Sequence, residues 1–344
     1  MLLEFVTMKD PHLSFGFQNR IRKNYEKHIS QKLEFVRGYA LSNNIDTVVF
    51  TGDVFDSSTE DKWSFKKYRK NKRALEEFKG SELKLYSNVG NHDMFHGYEE
   101  SEDTIFGEMV HDNILINLTK NPLVHMENTS VIKVQGVDYS NENNIVLENI
   151  RVFDEEAYPG YDVFKVCVLH SNVTPNEVKR VTDFTYKSLA EKFPDIDVFI
   201  LGHYHVGYDT TTMKREGGKD ITFINNWNFT RVVRDYEVEL DEHSPEFEHV
   251  SIQFDNITKQ FNLETKTIKV PFVTYNEAFS AKDIDILKKS KKEIFNFFED
   301  INFEDIKVDS KKDDDTLITK IVEENEYTEG AMNCALEYLN NAQG

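Results

Sequence analysis

Short apolar runs alternate along the chain with stretches whose apolar residues recur every three or four positions. The runs LLEFVTM (2–8), IDTVVFTGD (45–53), LKLYSNVGN (83–91), VFKVCVLHS (163–171), IDVFILGHYH (196–205) and DITFINNW (220–227) are rich in β-branched or aromatic residues and end in turn formers. That pattern predicts strands. Helical spacing appears in 22–44, which stops at Asn43-Asn44, in 63–80, which closes on Gly80, and in 187–193. Strands alternating with helices predict an α/β sandwich. No internal repeat is present.

The texture changes near Val270-Pro271. Residues 254–273 alternate like a strand pair, while 283–301 and 315–344 return to helical spacing across the charged stretch KVDSKKDDD. The expected division is a first domain over 1–270 and a smaller region over 271–344.

Polar residues gather where the predicted strands end. The first strand runs into Asp10-Pro11-His12, the second into Gly52-Asp53 and then Asp56, the third into Gly90-Asn91-His92-Asp93. Later strands end in His170 and in Gly202-His203-Tyr204-His205. In an α/β fold the C-terminal ends of strands converge on one edge, where sites are built. Asp10, His12, Asp53, Asn91, His170, His203 and His205 should therefore meet. Two pairs, Asp10 with His12 and His203 with His205, have the i, i+2 spacing that puts side chains on one face of an extended segment. Carboxylate, amide and imidazole together suit Mn, Fe or Zn better than Ca or Mg. Seven ligands exceed the needs of one ion. A carboxylate shared by two ions about 3.5–4 Å apart fits the count and makes a clamp for phosphoester hydrolysis. Any one of these segments alone is ordinary turn or surface chemistry. Five in this order, each ending an apolar strand, are not.

Composition narrows the class. At 39% hydrophobic and 12% aromatic residues, the chain builds a proper core. Two cysteines, Cys167 and Cys334, are too few for a disulfide framework and point to a reducing compartment. The N-terminus reads as a strand rather than a signal peptide. No window reaches the ~18 apolar residues of a membrane span, so the expectation is a cytoplasmic protein with no membrane partner. The formal net charge of −20 is unfavourable for binding DNA phosphates. One run departs from it: KKYRKNKR, six basic residues from Lys66 to Arg73. Lys66, Lys67, Arg69 and Lys70 are candidate DNA-backbone contacts; a solvated helix face explains them equally well.

The ordered set Asp10-Pro-His12, Gly52-Asp-Val-Phe-Asp56, Gly90-Asn-His-Asp93, His170 and Gly202-His-Tyr-His205 resembles the calcineurin-like metallophosphoesterases over roughly residues 1–240. Within that superfamily the chain looks most like the SbcD-type nuclease of double-strand-break processing complexes. Protein phosphatases would show Asp-Arg-Gly where this chain has Asp56-Ser57-Ser58, and Gly-Asn-His-Glu where it has Asp93.

The resemblance implies a four-layer α/β/β/α sandwich with a small α+β capping domain and C-terminal helices. It implies that Asp10, His12 and His205 hold one ion, that Asn91, His170 and His203 hold the other, and that Asp53 bridges them. His92 would be the catalytic histidine, oriented by Asp93. The cofactors would be two divalent ions, Mn2+ first, with Mg2+ or Fe2+ as alternatives. The activity would be exonuclease and endonuclease action on DNA, in a homodimer bound to an SbcC-like ABC/SMC-type ATPase. Leu317, Ile321, Tyr327, Leu336 and Leu339 are candidates for an amphipathic face docking on that partner. The chain departs from the family after the last His pair, where Asn225-Asn226, followed by Trp227, stand in place of a Gly-Ser. Two rival readings stand beside this one: a phosphoesterase for small phosphodiesters or phosphoproteins, and a non-catalytic scaffold of the same fold.

Overall fold

The computed structural model describes residues 1–15, 24–57, 65–94, 104–179, 181–215, 218–230 and 244–272. In chain order its elements begin β1 (Leu2–Met8), α1 (Tyr25–Ser42), β2 (Thr47–Phe50), α2 (Phe65–Lys79), β3 (Lys84–Ser87), α3 (Ile105–His111), β4 (Ile116–Asn117), β5 (Leu123–Glu127) and β6 (Ser130–Val137). They continue with α4 (Asn143–Asp154), β7 (Asp162–Ser171), β8 (Val173–Thr174), β9 (Phe184–Thr185), α5 (Tyr186–Lys192) and β10 (Val198–His203). Last come β11 (Tyr208–Met213), β12 (Ile221–Asn225), β13 (Glu246–Asp255) and β14 (Gln260–Lys269).

Two six-stranded sheets dominate, in the orders β14-β13-β1-β2-β3-β4 and β11-β12-β10-β7-β6-β5. In the first, β1, β2, β3 and β4 run parallel and the β13–β14 hairpin adds antiparallel to β1. In the second, β6, β7, β10 and β12 run parallel, with β5 and β11 antiparallel at the edges.

Strand periodicity explains the layering. Along β1, Leu3 and Phe5 face one way, toward Ile132, Val166, Ile200 and Val250 between the two sheets. Val6 and Met8 face the other way, into a core shared with Ile29, Leu33 and Val36 of α1, Leu75 of α2 and Phe106 of α3. The outer face of the second sheet does the same, with Cys167, Leu169, Phe199 and Phe223 packed against Ile150 of α4 and Leu189 of α5. Each such buried side chain contributes roughly 1.5–3 kcal/mol. Three apolar cores separating helices, sheet, sheet and helices make a mixed α/β sandwich of the expected four-layer kind.

Local signals set the ends. Thr185 accepts the Ser188 N–H while the Ser188 hydroxyl partners the Thr185 backbone, a capping box opening α5. Gly80 lies just past α2 at φ 55, in the left-handed region that closes helices. No helix among the described residues is long and apolar enough to cross a membrane. Beyond Phe272, the expected capping region and the docking candidates Leu317 to Leu339 lie outside the described residues.

Candidate metal centre

Parallel strands of both sheets deliver side chains to one edge. Asp10 follows β1, Asp53 follows β2, and Asn91 and His92 follow β3, all from the first sheet. His170 lies near the end of β7, His203 ends β10, and His205 stands two residues further on. The structure thus brings together all seven residues that the sequence places at strand ends, with His92 among them.

The backbone route differs from the expected one. Asp10 and His12 do not share the face of an extended segment. Both adopt left-handed φ, 42° and 45°, as do Asp53 at 46° and His203 at 80°. Asp and His tolerate this region better than most residues, at an energetic cost. The segment after Asp10 is then held by pairing. The His12 N–H donates to the Asp53 carbonyl at 2.9 Å and the Leu13 N–H to that of Val54 at 2.8 Å.

Asn91 Oδ1 lies 2.8 Å from His203 Nδ1 and 3.2 Å from His170 Nε2, and those two nitrogens are 3.2 Å apart. His12 Nε2 and His205 Nε2 approach to 3.1 Å, with an Asp10 oxygen in the same group. Between the two sets stands Asp53 Oδ2, 3.4 Å from His170 Nε2 and 3.7 Å from His12 Nε2.

These spacings test whether metal fits. A six-coordinate ion with bonds of about 2.1 Å sets neighbouring ligand atoms about 3 Å apart, near what both sets show. The donor chemistry agrees. His170 Nδ1 faces the Thr51 carbonyl at 2.6 Å. A carbonyl only accepts, so Nδ1 carries a hydrogen, and Nε2 is the nitrogen that can give a lone pair to a cation once its own proton has left. Acceptor atoms of Asn91, His170 and Asp53 therefore converge on one point, an arrangement that favours a cation.

The electrostatics point the same way. Burial disfavours charge on Asp53, but His170, His92 and His12 outweigh it and hold the carboxyl well below its usual range. Burial raises Asp10, opposed by His170 and Lys9. Burial likewise works against a charged His170, yet Asp53 and Asp10 lift it to about 9. His203, desolvated and beside His170, falls to about 3. The carboxylates that favour one positive charge at His170 favour a divalent cation more strongly.

The expectation that Asp93 orients His92 is corrected. His92 Nδ1 donates to the Asp56 carbonyl at 2.8 Å. Both Asp93 oxygens instead accept from the backbone: Phe55 N–H at 3.0 Å, Gly90 N–H at 3.1 Å and Val54 N–H at 3.2 Å. Asp93 ties the loop bearing Asp53 to the loop bearing Asn91 and His92. Burial, then Asp53, pushes its carboxyl up to about 8 against those three donors.

Gly90 shows how tightly these loops meet. A Cβ there would lie 2.2 Å from Asp53 Oδ1 and 2.3 Å from Asp53 N. Replacing Gly90 with alanine should displace Asp53, and Mn2+ titration should show at least one ion lost. Retention of the wild-type stoichiometry would overturn this account.

Some functional residues carry no motif. Thr51 donates its hydroxyl to Asp10 Oδ1 at 3.0 Å while its carbonyl holds His170. Tyr139 packs its ring 5.1 Å from that of His203 and 6.1 Å from that of His170. Along the chain, a place next to Gly52-Asp53 is the one hint of Thr51, and nothing points to Tyr139. Of the proposed DNA contacts, Lys70 bonds Glu26 at 2.7 Å. Its neighbours Lys72 and Arg73 pair with Asp112 and Glu77. Arg69 is exposed on α2, and the side chains of Lys66 and Lys67 lie outside the described residues.

A family model described as calcineurin-like phosphoesterase matches residues 10–207, more than half of the chain. The chain belongs to the calcineurin-like phosphoesterase family. Membership makes it a metal-dependent hydrolase, and the match begins at Asp10 and ends two residues past His205. Among solved structures, the calcineurin-like phosphoesterase YfkN from Bacillus subtilis is similar at 11% identity and TM-score 0.48, covering 85% of this chain and 98% of that one. TT1561 of Thermus thermophilus is similar at 10% identity and TM-score 0.40, covering 77% and 99%. No curated protein matches the chain.

Proposed function

We propose that this calcineurin-like phosphoesterase is a Mn2+-dependent phosphodiesterase acting on DNA, the nuclease subunit of an SbcC–SbcD-like complex. The observation that carries the two-ion reading is the position of Asp53 Oδ2 between the Asn91–His170–His203 set and the His12–His205 set. Asp10, His12 and His205 would hold one ion, Asn91, His170 and His203 the other, and Asp53 both. Mixed nitrogen and oxygen donors suit Mn, Fe or Zn, and the resemblance favours Mn2+ among them. Gly90-Asn-His-Asp93 and Asp56-Ser57-Ser58 support a nuclease rather than a protein phosphatase.

When bound, the two ions would polarise the phosphoryl oxygens and make a water nucleophilic near neutral pH. The protein's own groups do the rest. Asp53 and the histidines would hold the ions, and through them the phosphate, in place. His92, with Nδ1–H committed to the Asp56 carbonyl, keeps Nε2 to exchange a proton with the leaving oxygen. Three backbone N–H groups on Asp93 keep the two loops rigid.

The chain's acidity, and the pairing of Lys70, Lys72 and Arg73 with acids, support a division of labour in which a basic ATPase partner makes most DNA contacts. That partner would dock on residues 310–344, in a homodimeric assembly.

The test is cleavage of linear duplex and single-stranded DNA by the full chain with Mn2+, Mg2+ or chelator, beside hydrolysis of bis-p-nitrophenyl phosphate. Mn2+-dependent DNA cleavage abolished by chelator is expected, alone or with the ATPase added. Diester hydrolysis with DNA untouched under both conditions would replace this reading with that of a small-phosphodiester hydrolase.

A further inference from the structure

We propose that the two ion positions fill in a fixed order, the Asn91–His170–His203 position first, because a buried lysine ammonium behind Asp10 weakens the other. The inference rests on the two-ion reading above and concerns a residue, Lys9, that no motif includes.

Charge counting alone gives the opposite order. Asp53 is shared, and Asp10 supplies a carboxylate to one position only. Asn91, His170 and His203 bring none. The Asp10–His12–His205 position should then bind a divalent ion more tightly. Three features of the structure reverse this.

The first is Lys9, which immediately precedes Asp10 and is only 2% exposed. Its Nζ donates to Asn225 Oδ1 at 2.5 Å and lies 3.4 Å from the Val206 carbonyl. Val206 follows His205, so the ammonium sits between the two segments that carry Asp10 and His205. A positive charge there, screened by protein rather than by water, offsets the Asp10 carboxylate and repels an incoming cation.

The second is the state of Asp10 itself. Oδ1 accepts the Thr51 hydroxyl at 3.0 Å and Oδ2 accepts the His203 N–H at 2.9 Å. Both oxygens already share their electron density with donors.

The third is preorganisation. The Asn91, His170 and His203 atoms stand 2.8–3.2 Å from one another. His170 is fully buried, on a strand, with its tautomer fixed by Thr51. His170 and His203 stand on strands, whereas His205, half-buried like Asn91 and His203, lies in the irregular segment between β10 and β11. Holding it in place on binding costs more conformational entropy.

The contact also gives a role to Asn225, at the end of β12, where the resemblance implies a Gly-Ser instead. Asn225 supplies the carbonyl oxygen that receives Lys9, so the two unusual residues form a unit.

The experiment is calorimetric titration of the metal-stripped full chain with Mn2+, with free Mn2+ followed by electron paramagnetic resonance. Two steps are expected, the second weaker by roughly tenfold to a hundredfold, the size of effect that groups behind metal ligands produce. Asp10→Ala should remove the weak step and leave the tight one. Asn91→Ala should loosen the tight one. Lys9→Met should tighten the second step by about tenfold or more, and Lys9→Arg should leave it weak. Loss of the tight step in Asp10→Ala overturns the order, and that arm does not depend on Lys9→Met folding. A second step unchanged or weaker in a folded Lys9→Met protein overturns the role of the charge, because a lysine that merely tied two segments would behave so. Two equal steps in the wild type also overturn the order while leaving the two-ion reading intact. Absence of any Mn2+ binding removes that reading itself.

Discussion

Replacing His92 with alanine is expected to lower kcat for DNA cleavage about a hundredfold to ten-thousandfold, and for bis-p-nitrophenyl phosphate by less, while two Mn2+ ions stay bound. The imidazole sits beside the ligand set, its ring 4.9 Å from that of His12. Its Nδ1–H is committed to the Asp56 carbonyl, which leaves Nε2 as the atom able to pass a proton to the departing oxygen. Without it the leaving group departs as a bare alkoxide. The loss should therefore shrink as the leaving group's own pKa falls, being smaller for p-nitrophenol esters than for DNA. Unchanged kcat on both substrates, with both ions retained, would remove His92 from the chemistry. Simultaneous loss of an ion would instead make it a ligand, for which the His12–Asp53–His92 group leaves room.

Asp93 should behave differently from His92, although the two are adjacent. Its carboxylate accepts three buried backbone N–H groups, those of Val54, Phe55 and Gly90. Taking the acceptor from a buried donor costs about 1–3 kcal/mol each, so Asp93→Ala should destabilise the protein by on the order of 3 kcal/mol or more. The melting temperature should drop by roughly 5–10 °C. Asp93→Asn should cost less but still register, because its amide must turn an NH2 toward at least one of those donors. Activity per folded molecule should fall less in Asp93→Asn than in His92→Ala. Equal kinetic defects with an unshifted melting curve would restore the simpler idea that Asp93 serves only to orient His92.

That contrast marks where sequence alone stops. The strand leading to Asp10, the strand ending at Phe50 and the strand before Gly90 are legible because β-branched and aromatic runs ended by turn formers pack as strands, β2 buried throughout and β3 alternating buried with exposed or half-buried positions. The helices over 25–42 and 65–79 are legible from spacing and from their Asn and Gly stops. Strand β6, in contrast, passes unnoticed: SVIKVQGV interrupts its apolar run with Lys133 and Gln135, and Lys133 reaches out to Glu156. The ligand residues are readable because chemistry restricts their types and strand ends fix their positions. Their supports are not, because they act through the main chain. The Thr51 carbonyl holds His170 and the Asp56 carbonyl holds His92, and any residue at either position has a carbonyl. Lys9 was invisible for another reason. A lysine next to an acid reads as surface until the fold buries it.

Four of the converging residues, Asp10, His12, Asp53 and His203, hold left-handed backbone angles. Each such residue stores about 1 kcal/mol that glycine would release. Laboratory evolution for heat resistance, with no demand for hydrolysis, would find glycine at these positions attractive and would dismantle the centre while leaving both sheets whole. Chains of this fold that combine unusual thermal resistance with glycine at two or more of the four positions would be the expected residue of such a history.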